Sequence, residues 1–184
     1  MAQTDTQYEG RTRTSLPART IMARTLTMPL AGQMVLARDQ SLNVRKALAS
    51  NICLDLTVQL FIAESSSQPL RIVLAKNPAL DAETQLLLAE DHSYNVRKAL
   101  ASNPSLTVAL QELLGTDAVL LVVADLAANP ALESLAAISV LWRKFSSVFG
   151  EKALAVAADA MNAYRTREHL EDIPDSWIAE IIFD

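Results

Sequence analysis

The chain has 184 residues, 51% of them apolar, and a formal net charge of −5. Aromatic residues make up only 5% of it and there are four glycines. Leu, Ala and Val therefore supply most of the hydrophobic surface, which favours closely packed helices over a sheet. An acidic chain is a poor default binder of nucleic acid. Basic residues nevertheless outnumber acidic ones over residues 1–50, and the reverse holds over 151–184.

The single cysteine and the lack of long apolar runs predict where the protein is located in the cell. A single cysteine, Cys53, excludes an internal disulfide and fits a reducing environment. The first residues lack the apolar segment of a signal peptide, and no run reaches the roughly 18 apolar residues of a membrane helix. We therefore expect a soluble cytoplasmic protein with no membrane span. Residues 1–16 are polar and aperiodic, which predicts a disordered or loosely attached tail.

A nine-residue string organises the middle of the chain. NVRKALASN occurs at 43–51 and again at 95–103, and the related strings PLRIVLAKN and LVVADLAAN occupy 69–77 and 121–129. The strings thus recur every 26 positions, a period typical of solenoid repeats that bury their apolar faces only against their neighbours. We predict an all-α solenoid of about four two-helix repeats over residues 17–132. The clear units start at residue 36, and a degenerate unit precedes them.

The first helix of each repeat, helix A, follows a column of Asp or Ser residues. Their side-chain oxygens are expected to cap the helix. Inward positions recur at i, i+3 and i+4, as in Val44, Ala47 and Leu48. Asp125 stands in this stripe, so it needs either a partner or an outward position.

Helix A is predicted to stop at a column of asparagines. Three of the four are followed by Pro, which cannot continue a helix, and Asn is expected to satisfy backbone groups at the turn. The Asn column is Asn51, Asn77, Asn103 and Asn129.

The second helix, helix B, is predicted at the eight-residue segments LTVQLFIA, AETQLLLA and VALQELLG. Asp55, Asp81 and Thr107 precede these segments as N-cap candidates. A glutamine recurs on each helix B, and uncharged polar residues in register on an apolar helix are typical of a face open to a partner; a merely solvated row would look the same. The candidate partner-binding column is Gln59, Gln85 and Gln111.

A row of basic residues on helix A has two interpretations. As an anion-binding stripe, it would join the basic segment Arg11–Arg24 and contact nucleic-acid phosphates. As a structural ladder, each arginine would pair with an Asp or with carbonyls of an adjacent repeat. The six-residue spacing of Asp91 and Arg97 does not place them on one helix face, so any pairing is expected to cross to a neighbouring turn. The row is Arg45, Arg71, Arg97, Lys46 and Lys98.

The repeat pattern weakens after Asn129. Longer helices are predicted at 131–149 and 151–164, followed by a short amphipathic segment after Pro174. We expect residues 133–184 to cap the exposed end of the solenoid as part of the same domain. Alternatively, the final WIAEIIF string is a docking peptide for a groove on a partner.

The repeat unit, Asp-x-Ser-x-x-Val-Arg-Lys-Ala-Leu-Ala-Ser-Asn-Pro followed by a Leu, resembles the leucine-rich repeat variant family. That resemblance implies a superhelix in which α-helices alternate with 3₁₀ or short α-helices, without β-strands. It implies no single activity. The N-terminal cysteine cluster that binds an iron–sulfur centre in some members is missing, so we expect no cofactor. The residues that carry the pattern best are Asp91, Val96, Arg97, Leu100, Ala101, Asn103, Pro104, Leu106 and Leu113.

The sequence shows no combination of residues that is typical of an active site. His92 and His169 each lack a second His or Cys at metal-ligand spacing. A base pocket like that of the helical-repeat DNA glycosylases would need a paired carboxylate and aromatic residue, which the pattern does not offer. We therefore expect a non-enzymatic scaffold that binds a protein or peptide, with nucleic-acid binding through the basic row as the alternative.

Overall fold

A computed structural model describes residues 15–134 and four further positions, 137, 140, 162 and 166. Within that part of the chain every regular element is an α-helix, and there are no strands. The predicted all-α fold of two-helix repeats is thereby confirmed. The predicted tail, apart from Ser15 and Leu16, and most of the predicted C-terminal cap lie outside the described residues.

The helices bounded within residues 15–134 are all eight residues long and recur every 26 positions. The A helices are α1 (Leu16–Ala23), α3 (Leu42–Ala49), α5 (Gln68–Ala75), α7 (Tyr94–Ala101) and α9 (Leu120–Ala127). The B helices are α2 (Leu30–Ala37), α4 (Leu56–Ala63), α6 (Ala82–Ala89) and α8 (Val108–Gly115). The three B segments predicted from the sequence match α4, α6 and α8 residue for residue. The first repeat, predicted to be degenerate, has the same two helices as the others.

The helix starts differ from the prediction. In the A helices the Asp or Ser column lies two residues before the N-cap and accepts a hydrogen bond from the N–H of the cap residue. Asp39 Oδ1 accepts from Ser41 N at 2.8 Å, and Ser65 Oγ accepts from Ser67 N at 3.2 Å. Ser41 and Ser67, the N-caps themselves, make no side-chain cap bond. The column therefore orders the approach to helix A rather than its first turn.

The N-cap prediction holds better for the B helices. Asp55 accepts from Thr57 N at 2.8 Å and Asp81 accepts from Glu83 N at 3.1 Å. Thr107, the third predicted cap, makes no side-chain cap bond to α8. An exposed cap of this kind stabilises a helix by about 1 kcal/mol, so helices of eight residues still depend on packing.

The chain divides into two compact units, Met1–Leu88 and Ala89–Asp184. In the first unit α1 packs on α3 and α3 on α5, while α2 packs on α4. Helices of the same kind therefore stack in two layers. In the second unit α7 packs on α9, and α8 packs against both of them.

The core of each repeat comes from the predicted inward stripe of helix A and from one side of helix B. Val44, Leu48 and Ile62 are fully buried in the first unit, as are Val96 and Leu100 in the second. The invariant alanine at the end of each A helix is buried as well. Its members are Ala49, Ala75, Ala101 and Ala127.

The repeat continues further than the sequence pattern indicated. Residues 131–134 are not helical, so the helix predicted to begin at 131 does not begin there. Asn129 Oδ1 accepts from Ala131 N at 2.9 Å, and Gln111 Oε1 accepts from Glu133 N at 2.7 Å. These are the bonds that close the turn in earlier repeats. The turn of a fifth repeat is therefore present through Ser134.

Candidate binding surface on the B helices

Asparagines of the column join one repeat to the one before it within each unit. Asn51 Nδ2 donates to Ala23 O at 3.1 Å and to Thr25 O at 3.0 Å, while its Oδ1 accepts from Cys53 N at 2.9 Å. Asn51 is 4% exposed. Asn77 and Asn129 repeat these bonds one and three repeats later. This residue therefore serves the turn, as its position at the helix end indicated, and also clamps the neighbouring repeat.

The same bonds place the alanine at the end of helix A in contact with the next repeat. Asn77 Nδ2 donates to Ala49 O at 3.0 Å, and Asn129 Nδ2 donates to Ala101 O at 2.7 Å. The alanine carbonyl is thus the contact point for the next repeat. A larger side chain here would meet a packed interior, where added volume costs about 1–3 kcal/mol.

The glutamine column is buried, which makes the prediction of a partner-binding Gln face wrong. Gln59, Gln85 and Gln111 are at most 4% exposed. Gln59 Nε2 donates to Leu54 O at 3.0 Å and to Ala79 O at 3.3 Å, and its Oε1 accepts from Asp81 N at 2.9 Å. A buried amide needs such partners, and here it finds them mainly on the backbone of the next repeat.

Gln111 makes the equivalent set of bonds in the second unit. Its Nε2 donates to Leu106 O and Ala131 O, and its Oε1 accepts from Glu133 N and Ser134 N. Gln33, in the first repeat, binds Met28 O, Cys53 O and Asp55 N in the same way. Within each unit the glutamines and asparagines therefore form internal amide ladders, the asparagines at the ends of the A helices and the glutamines on the B helices.

Two arginines of the basic row, Arg71 and Arg97, act as structural partners within the repeats. Arg97 Nε donates to Asp117 Oδ2 at 2.6 Å and its Nη2 to Asp117 Oδ1 at 3.2 Å, while Nη1 donates to Asp91 O at 2.7 Å. The hydrogen bond to Asp117, helped by the charges of Asp117 and Asp91 and opposed by burial, raises the pKa of Arg97. Arg71 is 4% exposed and donates to Ser65 O at 2.6 Å. These geometries favour the structural interpretation of the row.

Two further basic residues of the A helices, Arg19 and Lys98, lie beside carboxylates, whereas Arg45 Nε is buried without a hydrogen-bond partner among the described residues. Arg19, one period before Arg45, pairs with Asp39 at 2.7 Å. Lys98 Nζ lies 3.8 Å from Asp125 Oδ1, and Ser102 Oγ donates to Asp125 Oδ2 at 3.0 Å. Asp125, the acidic residue in the apolar stripe, is thus partnered. Lys46 is half-buried on α3.

Large apolar side chains are exposed on the B helices, where the sequence had pointed to glutamine. Val35, Phe61 and Leu87 occupy the same position of three successive repeats and are 40%, 37% and 39% exposed. Leu30, Leu56 and Leu86 are exposed on the same three helices. We name these six residues the B row: Leu30, Val35, Leu56, Phe61, Leu86 and Leu87.

The three helices that carry the B row are held in place by packing and by hydrogen bonds of the buried glutamines. Helix α2 packs on α4, and Gln59 of α4 holds the residues that lead into α6, at Ala79 and Asp81. In the second unit the same helix positions are also apolar and exposed, with Val108 at 45% and Leu113 at 42%. The exposed apolar residues could have been predicted from the composition of the B segments. LTVQLFIA has more large apolar residues than one face of an eight-residue helix can bury.

Charged residues around the B row are mainly acidic. Glu64 directly follows α4, Asp81 directly precedes α6 and Glu83 lies in the first turn of α6; all three are exposed. Arg38 also lies here, but its guanidinium sits 4.8 Å from the centre of the Phe61 ring, an arrangement that stabilises the cation over the aromatic face. The B row is therefore apolar at its centre and negative at the helix ends.

Other kinds of site are missing from residues 15–134 and the four isolated positions. No three His, Cys, Asp or Glu side chains there lie together in a way that could hold a metal ion. Every helix in that part of the chain falls short of the length and apolar character needed to cross a lipid bilayer.

Comparison with known proteins found no match to a family model, a curated protein or a solved structure.

Proposed function

We propose that the chain is a non-enzymatic repeat scaffold whose B row binds an amphipathic peptide segment carrying basic residues. The observation that carries this proposal is the B row itself: six large apolar side chains, each 37–49% exposed, on three successive B helices. Large apolar side chains exposed together mark interaction sites, and here they recur on helices of which α2 packs on α4. The cytoplasmic location expected from the single cysteine and the leucine-rich repeat variant assignment belong to the same proposal.

Burial of the B row would supply the binding energy. Each Å² of apolar surface removed from water contributes about 25 cal/mol, and an aromatic residue at the centre of a patch is the usual hot spot. Phe61 is the one aromatic residue of the B row, and α4 lies between α2 and α6 in the chain. An amphipathic helix that offers apolar residues at i, i+3, i+4 and i+7 is one complementary shape.

Charge complementarity selects the polar residues of the partner. Glu64, Asp81 and Glu83 are exposed beside the B row, so lysines or arginines that flank the apolar positions of the peptide would meet carboxylates. Such rim charges act mainly on the rate of association and on specificity. Nucleic acid is a poorer candidate, because Arg19 and Arg97 are neutralised by Asp39 and Asp117.

The experiment is a selection of displayed random peptides on the full chain, with each enriched peptide then titrated by calorimetry. The test variant is Phe61→Glu, which places a charge at the centre of the B row. The matched control is Asn43→Glu, which adds the same charge at an exposed position of α3 in the other layer of helices.

The proposal expects enriched peptides that combine an apolar helical stripe with Lys or Arg. Phe61→Glu should weaken their affinity by about tenfold or more, the factor that corresponds to a loss of about 1.4 kcal/mol at a hot spot. Asn43→Glu should leave the affinity unchanged. Peptides that bind Phe61→Glu as well as they bind the unaltered chain would place the binding surface elsewhere. Failure to enrich any peptide would also count against the proposal.

A further inference from the structure

In two repeats an aspartate binds two different partners, a backbone N–H of the turn and an arginine. Asp39 Oδ1 accepts from the backbone N–H of Ser41 at 2.8 Å, and Oδ2 accepts from Arg19 Nε at 2.7 Å. Asp117 Oδ1 accepts from Val119 N at 2.7 Å, and Oδ2 accepts from Arg97 Nε at 2.6 Å. Oδ1 orders the turn into helix A, and the carboxylate neutralises an arginine of the preceding repeat. Oδ1 also accepts from the arginine Nη2, at 3.5 Å in Asp39 and 3.2 Å in Asp117, but only Oδ2 accepts from Nε.

The repeat that follows Arg45 departs from this arrangement. Ser65 stands at the aspartate position there and has a single side-chain oxygen, which accepts from Ser67 N at 3.2 Å. The turn bond is therefore kept. The oxygen that would face the arginine is missing, and Arg45 Nε is buried without a hydrogen-bond partner among the described residues. No ion pair of Arg45 occurs within the same residues.

The surroundings of Ser65 add positive charge. Arg71 Nη1 donates to the carbonyl oxygen of Ser65 at 2.6 Å, so a second guanidinium lies beside this turn. A buried charged donor left without a partner is costly, because it has lost water and gained nothing in exchange. Arg45 and Ser65 are both half-buried, so part of each residue reaches solvent.

We propose that Arg45 and Ser65 form a binding site for one oxyanion group, a phosphate or a carboxylate, that takes the place of the Asp Oδ2 oxygen of the other repeats. An oxyanion fits because a charge-assisted bond from Arg Nε is what the sister repeats form at 2.6–2.7 Å. The site lies on the A helices and does not rest on binding at the B row.

The test uses the full chain labelled with ¹⁵N and follows the Nε–Hε resonances of its arginines. Sodium phosphate, sodium acetate and sodium chloride are titrated separately at constant ionic strength. The Arg45→Lys variant assigns the Arg45 resonance by removing it, and Arg97 serves as the internal control because its Nε is already bonded to Asp117. We expect the Arg45 resonance to shift saturably with phosphate or acetate, but not with chloride. The stronger of the two oxyanions identifies the preferred source.

A pair of variants separates a specific site from a general response to charge. Ser65→Asp supplies the missing carboxylate internally, so the oxyanion should bind at least about tenfold more weakly, in line with loss of one charge-assisted bond, and the melting temperature without added oxyanion should rise. Ser66→Asp adds the same charge at the exposed neighbour and should leave the saturable shift in place.

Three results would overturn the site. A shift of the Arg45 resonance that is linear in salt, or equal with chloride, would show charge screening alone. The absence of any shift would mean that water alone fills the position. An unchanged response in Ser65→Asp would show that the oxyanion does not occupy the place of the aspartate oxygen.

Discussion

On helix α4 a polar side chain is buried and a large apolar one is exposed, the opposite of what polarity alone would predict. Gln59 faces the interior with 4% of its surface exposed, while Phe61, two residues later, is 37% exposed. The glutamine is inside because nearby backbone offers it two acceptors and a donor, two of these three groups on the next repeat. In a repeat protein, contacts that recur between neighbouring units therefore decide which side is inside. The large apolar side chains that the interior does not take up, such as Phe61, face solvent.

Among the variants that delete hydrogen bonds, removal of one rung of the asparagine ladder should have the largest effect on stability. Asn51→Ala deletes bonds to Ala23 O, Thr25 O and Cys53 N and leaves buried backbone groups unpaired, at a cost of about 3 kcal/mol. The measurement is urea denaturation followed by circular dichroism. Asn43→Ala, at an exposed position of α3, should change stability by no more than about 0.5 kcal/mol. If the two variants lost the same stability, the hydrogen bonds of Asn51 between repeats would not be what stabilises the fold.

The glutamine side of α4 should be nearly as sensitive. Gln59→Leu keeps the approximate size of the side chain but leaves three backbone groups without their hydrogen-bond partner. We expect the free energy of unfolding to fall by about 2 kcal/mol. Thr57→Val on the exposed side of the same helix is the control and should be close to neutral. If Gln59→Leu proved stabilising, apolar packing would outweigh the inter-repeat hydrogen bonds, and the contrast between the two sides of α4 would disappear.

A third variant transfers the arrangement found at Ser65 to another repeat. Asp117→Ser keeps an oxygen for Val119 N but removes the partner of Arg97 Nε, so we expect a loss of about 1–2 kcal/mol by denaturation. Because the bond to Asp117 raises the pKa of Arg97, the stabilisation is fully present below the ordinary pKa of arginine and fades only as pH rises through the raised value. The loss in Asp117→Ser should therefore be the same at about pH 6 and about pH 8. A loss that differed between the two would implicate another group.

The smallest effect is expected on the exposed side of α4. Phe61→Gln removes a ring that is 37% exposed and lies under Arg38, and should cost about 1 kcal/mol or less. Ile62→Gln, one residue further on and fully buried, should cost about 3 kcal/mol or more. Similar losses for both variants would mean that Phe61 belongs to the core and not to a binding surface.

Much of the local structure could be predicted from the sequence. Exact recurrence at a fixed period, together with Asn followed by Pro, indicated the repeats and the end of helix A, since these signals act within a few residues. The eight-residue B segments were located correctly for the same reason. The predicted capping of helix A is wrong, because Asp39 and Ser65 accept from the N–H of the N-cap residue. A polar side chain before a helix can reach either that N–H or an N–H of the first helical turn, and the sequence does not distinguish the two.

Amino-acid order alone established the period, the helical class and the membership of each column. Only the tertiary structure decided which columns face a neighbouring repeat and which face water. Gln59, Arg97 and Phe61 all stand in repeating columns, yet the first two find hydrogen-bond partners in the next repeat and the third remains 37% exposed. A column shows that a position matters in every repeat, but the direction of its side chain depends on the stacking of helices too short to be stable alone.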